Sequence, residues 1–237
     1  MNNTPQSRGK VLVVMSSANA LALRDGKTYS TGYYLNEFVV PFRKLIDAAR
    51  AEALSYAQGI EQLKHPKTLA SVVAEGTHGY VGLFIPGGHA PMADLLTDRN
   101  LGKILVSFHE SGRPTGIICH GPIVLLSALR DPDAFVASLI ANDGKANGLA
   151  TGWPYAGYHV TVFSTGEEQQ LEGPQGLGGH VQFYPVNALA EAGAHVDSVA
   201  NWHSHVVVDR ELITGQQPMS APEFGDILVN ALQTRNH

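Results

Sequence analysis

The sequence predicts an α/β fold: a largely parallel sheet with helices on both faces. Three observations lead there. Short, nearly continuous apolar runs read as strands buried on both faces, namely "KVLVVM" (Lys10 to Met15), "YVGLFI" ahead of Pro86-Gly87-Gly88, and "PTGIIC" (Pro114 to Cys119). Amphipathic stretches of helical period alternate with them. Gly-rich and polar segments follow the apolar runs, at what would be the carboxyl ends of the strands, where such folds build their sites.

Taken in order, the first strand is followed by a polar stretch, Ser16 to Gly32, too long for a simple turn and read as a site-building loop. Tyr33 to Glu52 is expected as a helix with Leu35, Phe38, Val39, Phe42, Leu45, Ile46 and Ala49 on one face. Pro41 inside it predicts a kink or a missing hydrogen bond. "ALSYA" is a weak second strand, and Tyr80 to Gly88 is a strong one ending in Pro-Gly-Gly. Leu101 to Glu110 is helical, and Pro114 to Cys119 is a buried strand. "HVTVFS" reads as a strand, Tyr184 to Ala192 as a helix, "VVVDRELITG" as two strands around a turn, and Ala221 to Leu232 as a final helix.

The 237 residues show no linker, repeat or low-complexity tract, so residues 1–237 are expected as one domain. Hydrophobic residues make up 44% and charged residues 16%, enough for a sizeable core. The net charge of -5 argues against a nucleic-acid partner, which needs a basic face. No apolar stretch reaches the roughly 20 residues of a membrane helix. "MNNTPQSRGK" lacks the apolar core of a signal peptide. The one cysteine has no internal disulfide partner, so the cytoplasm is the expected compartment.

That cysteine, Cys119, lies between an apolar strand and the helical run Ile123 to Leu129, in "GIICHGPIVLLSAL". The arrangement has the form of a nucleophile elbow, with Gly121 allowing the tight turn and Pro122 suited to a first helical turn. An exposed sulfur at a helix N-terminus predicts a thiol pKa below the free value. A buried structural cysteine is the alternative reading.

"FIPGGH" followed by "ICHGP", with "SSANALALRDGKTYSTGYYLNEFVVPFRKL", "GYHVTVFSTGEEQ" and "VVVDRELITGQQPMSA" in order, resembles the ThiJ/PfpI superfamily, in its glyoxalase III and heat-shock chaperone branch. The resemblance spans about Lys10 to Leu232. It implies a flavodoxin-like three-layer sandwich related to class I glutamine amidotransferases, with Cys119 as nucleophile and His120 as catalytic histidine. It puts the triad acid at Glu168, with Glu167 as the near alternative, and a second carboxylate at Glu37 beside the sulfur. Gly87, Gly88 and His89 would line the oxyanion and substrate pocket, with the Gly88 and His120 amides as oxyanion donors. It further implies small 2-oxoaldehydes such as methylglyoxal as substrates, no cofactor or metal, and pairing into a homodimer, on which the sequence pattern itself is silent.

The chain departs from the family pattern at Ala90, in "YPVNALAEAG", and at Phe135 to Gly152, which reads as extra loop. Other functions stay open: a deglycase or amidohydrolase on the same fold, a stress chaperone, or a cysteine redox sensor. A glutaminase is disfavoured, because the chain has no His-x-Glu. "WHSH" would put His203 and His205 on one face of a strand, as surface residues or as half of a metal site. "EGPQGLGGH" has no Lys or Ser in P-loop position and reads as a pocket-side loop.

Overall fold

The computed structural model describes residues 9–49 and 65–234. The expected "ALSYA" strand and the end of the helix predicted over Tyr33 to Glu52 lie outside them. A five-stranded sheet has the order β1 (Lys10–Val13), β4 (Tyr80–Ile85), β5 (Thr115–Ile118), β9 (Leu212–Gly215), β8 (Val206–Asp209). Its pairs are parallel except β8 with β9, the two strands expected around a turn. The central strands are buried on both sides, as their unbroken apolar sequences require. Leu83, Ile85, Ile117 and Leu212 enter one core. Phe84, Ile118 and Ile213 point to the other, with Phe38, Phe224 and Leu228 from the helices that cover that face.

Those helices are α1 (Leu35–Ala49) and α8 (Ala221–Thr234), packed against each other. Helix α1 continues through Pro41, whose missing N–H leaves the Glu37 carbonyl without its helical donor. The opposite face carries α3 (Arg99–Glu110), capped by Asp98, and a 3-10 helix, Gly121–Ala128, directly after Cys119. The helical run expected there is thus a tighter, shorter-range helix.

Several expectations change. The Ser16–Gly32 segment is not plain loop: β2 (Ala20–Ala22) and β3 (Thr28–Ser30) form an antiparallel hairpin, and Leu23 bridges to Val181. Helix α2 (Leu69–Glu75), capped by Thr68, had no expected counterpart. Phe135 to Gly152 is not extra loop either. It holds α4 (Pro132–Ala141) and α5 (Ala146–Leu149). Asp131 caps α4, Pro132 starts it, and Asn142 ends it in the left-handed conformation.

"HVTVFS" is extended only at β6 (His159–Val160), which pairs with β7 (His195–Val196) rather than with the main sheet. Beyond it, the Thr161 amide bonds to the Thr214 side chain and the Phe163 amide to the Cys119 carbonyl, so ladder pairing stops. Helix α6 (Thr165–Leu171) follows, then α7 (Pro185–Glu191).

Candidate active site

Strands β4 and β5 are parallel neighbours, so Pro86-Gly87-Gly88 and Cys119-His120 emerge side by side at their carboxyl ends. Cys119 has φ 62, in the left-handed region that side chains rarely occupy. Such a conformation costs about 1–3 kcal/mol and persists only where neighbours hold it. Two bonds do so: the Cys119 amide donates to Gly215 O at 2.8 Å, and Phe163 N donates to Cys119 O at 2.9 Å. This is the strained strand-to-helix turn of a nucleophile elbow.

From the sulfur a line of side chains runs inward. Cys119 Sγ lies 3.2 Å from His120 Nδ1, and His120 Nε2 lies 2.6 Å from Glu168 Oε2. The second oxygen, Glu168 Oε1, lies 2.7 Å from His89 Nε2. The His120 ring packs against two others, with Phe163 stacked at 4.3 Å and His89 tilted at 3.9 Å between centroids. Glu37, from the first turn of α1, approaches the other side of the sulfur. A Cβ on Gly87 would meet Cys119 Cβ and Glu37 Oε2, each at 2.5 Å, so only glycine fits between them. Gly88 has φ 88, and its amide, like that of His120, faces the sulfur.

The DJ-1/PfpI family model matches residues 35–131 of this chain. The protein/nucleic acid deglycase HchA of Staphylococcus aureus (strain bovine RF122 / ET3-1) is 27% identical, over 94% of this chain and 80% of its own length. The solved structure of APC35852 is 27% identical with TM-score 0.67, covering 96% of this chain and 99% of that one. These similarities support membership of the ThiJ/PfpI superfamily. Glyoxalase III of Candida albicans shares its fold at 19% identity and TM-score 0.63, over 95% of this chain and 98% of that one.

In this chain the site is closed over. Cys119 is 4% exposed, His120 1%, and Glu37 and Glu168 0%. Burial has an electrostatic consequence that corrects the expected low thiol pKa. Burial, then the neighbouring Glu37, push the Cys119 thiol well up, against the pull of the Gly88 and His120 amides. Burial, then His89, lower His120 to about 4, against the attraction of Glu168. Burial acts to raise Glu168, but His120 and the hydrogen bonds from both imidazoles outweigh it and hold the carboxyl below its usual range.

The resting site at neutral pH is therefore a thiol, a neutral imidazole and a carboxylate. An ionised carboxylate only accepts, so His120 Nε2 carries the proton and Nδ1 offers its lone pair to the S–H. Alkylation of Cys119 by iodoacetamide is then expected to keep accelerating above about pH 8.5, the free-thiol value. A rate that levels off below that pH would contradict the buried-thiol assignment.

Burial also raises Glu37 from 4.5 to about 8, although the thiol and the Gly87 and Gly88 amides favour its charged form. Its carboxyl oxygens are buried and make no hydrogen bond of standard geometry. Glu37 is thus protonated at neutral pH. Because folding favours the protonated acid, its contribution to stability is complete below 4.5 and is lost as pH rises through about 8. Glu37→Gln removes that titration. In urea unfolding, its stability relative to wild type is expected to improve by about 4 kcal/mol between pH 4.5 and pH 8.5. A difference that stays constant across this range would show that Glu37 ionises in the folded chain as it does in water.

The pair Glu167 and Glu168 separates cleanly. Glu167 closes a capping box with Ser164 and also receives the Trp202 amide at 2.7 Å and the Gln216 amide at 3.2 Å. Only Glu168 reaches His120. His89 sits at the site, but its Nε2 contacts Glu168.

His203 and His205 are not on a strand. Among the described residues, one group of three metal-capable side chains converges, His89, His120 and Glu168. Its ring nitrogens are already matched to the carboxylate oxygens. Phe163, which stacks on His120, and Trp202, which meets Phe163 edge-on at 5.8 Å, were not singled out in the sequence. The apolar run "VTVF" ending just before Ser164 was the available signal for Phe163.

Proposed function

We propose that this protein is a glutathione-independent glyoxalase III-type enzyme that converts small 2-oxoaldehydes such as methylglyoxal to the 2-hydroxy acid. The observation that carries the reading is the buried line Sγ–Nδ1, Nε2–Oε2, at 3.2 and 2.6 Å. A neutral thiol beside a neutral imidazole is suited to an attack in which bond formation and proton transfer go together.

Cys119 Sγ bonds to the aldehyde carbon as its proton passes to His120 Nδ1. The Gly88 and His120 amides donate to the developing oxyanion, each worth about 3 kcal/mol when well placed. His120 returns that proton to the oxygen, giving a neutral hemithioacetal, and its Nδ1 is free again. It then removes the hydrogen from this carbon, and the resulting enediol is protonated on the neighbouring carbon. The first carbon becomes a thioester and the ketone an alcohol. Water cleaves the thioester, releasing the acid and regenerating the thiol. The sum is methylglyoxal plus water to lactic acid, with one carbon oxidised and its neighbour reduced, so no external redox partner is needed. Glu168 stabilises the imidazolium each time it forms, and neutral Glu37 donates to the sulfur as negative charge develops on it.

The deglycase name of the Staphylococcus relative supports a second reading, release of the aldehyde from amine adducts by the same nucleophile. The burial of Cys119 favours the small free aldehyde over a protein-borne adduct. Parallel assays with methylglyoxal and with a pre-formed methylglyoxal–arginine adduct, under conditions where free aldehyde is trapped, distinguish the two. Saturable lactate formation from the free aldehyde alone is expected. Lactate formed faster from the adduct than from free aldehyde would favour the deglycase.

A further inference from the structure

We propose that His89 is a positioning residue of the catalytic unit, holding the second oxygen of Glu168 and so fixing the His120 imidazole against the sulfur. The inference rests on the triad reading above and extends it from three residues to four. The sequence suggests His89 as a lining of the substrate pocket, but its Nε2 lies 2.7 Å from Glu168 Oε1. His120 Nε2 holds Glu168 Oε2 at 2.6 Å. The carboxylate is thus pinned at both oxygens by two N–H donors.

A carboxylate held at one oxygen rotates about its last bond and exchanges oxygens; one held at both does not. The tautomer and direction of His120 are set by that carboxylate, so the grip of His89 reaches the sulfur through Glu168. His89 is 8% exposed, and its ring lies 3.9 Å from that of His120. The titratable groups in hydrogen-bond or ring contact with it are Glu168, His120 and, edge-on at 5.8 Å, Tyr29. One carboxylate cannot neutralise two imidazolium ions, so His89 also opposes charge on His120. The arrangement accounts for a buried second histidine that the three-residue mechanism leaves without a role.

The test compares His89→Ala with His89→Gln, whose amide N–H still reaches towards Glu168. Each is assayed with methylglyoxal across pH, with kcat and KM separated. His89→Ala is expected to lower kcat about 30-fold with KM within about twofold, and His89→Gln to recover about tenfold of that loss. The acid limb of kcat/KM is expected to move to higher pH in both variants, because loss of His89 lets His120 hold a proton more readily. Iodoacetamide alkylation of Cys119 uses the same base and no substrate. It is expected to slow several-fold in His89→Ala and to recover in His89→Gln. A raised KM with kcat preserved, a glutamine variant no better than alanine, or an unmoved acid limb and unchanged alkylation would overturn the role. Should Cys119→Ser keep wild-type activity, the triad reading itself fails. If Cys119→Ser is inactive while both His89 variants match wild type, only the His89 role falls.

Discussion

Cys119→Ser is expected to lower methylglyoxal conversion by about 10³-fold or more while the chain stays folded. The serine hydroxyl fits the same elbow and hydrogen-bonds His120 Nδ1, where the thiol now lies at 3.2 Å. The change should cost no more than about 1 kcal/mol in urea unfolding. Chemistry suffers instead. An alkoxide is far harder to form than a thiolate, and an ester lacks the reactivity of the thioester that water must cleave. Initial rates of aldehyde loss and of lactate formation, measured beside an unfolding curve, check both halves. Activity above a tenth of wild type would place the nucleophile elsewhere.

Replacing the acid should be nearly as damaging, for a geometric reason. Glu168 accepts from His120 at one oxygen and from His89 at the other. In Glu168→Gln one of those N–H groups faces an NH2, two donors opposed, and an imidazole must change tautomer to relieve it. If His120 changes, its Nδ1 carries the proton and can no longer receive one from the sulfur. A loss of about 10³-fold is expected for Glu168→Gln, and of about 10³–10⁴-fold for His120→Ala. The double variant should fall no more than about tenfold below His120→Ala, because both changes remove one function. Fully additive losses, read from kcat/KM of the four proteins, would mean that the two residues act separately.

The parallel sheet was legible because its central strands are buried on both faces and so are mostly apolar: β4 and β5 have no other reading. The elbow was legible from the change of pattern at Cys119, and the resemblance located Glu37 and Glu168. Other features depended on tertiary contacts that leave little local trace. The β2–β3 hairpin is three residues a side and leans on Val181. Thr161 to Phe163 look like strand, yet their amides go to Thr214 and Cys119. Helix α4 carries local signals, Asp131-Pro132 at its start and Asn142 at its end, that outweigh the family pattern. Likewise Ser164-x-x-Glu167 marks a capping box, which ties Glu167 to the helix start and distinguishes it from Glu168.

The raised thiol pKa has a physical cause that the local sequence pattern does not carry. Position at an elbow says where the sulfur points, while desolvation depends on what surrounds it, and that includes Glu37 and Gly88, far away in sequence.

The most direct measurement is a proton NMR time course of methylglyoxal with the wild-type protein, without glutathione and with a chelator present, run beside Cys119→Ser. The account predicts one lactate formed per methylglyoxal consumed over many turnovers, saturating with substrate and absent in the serine variant. Consumption of the aldehyde without lactate, or lactate formed equally by Cys119→Ser, would contradict it.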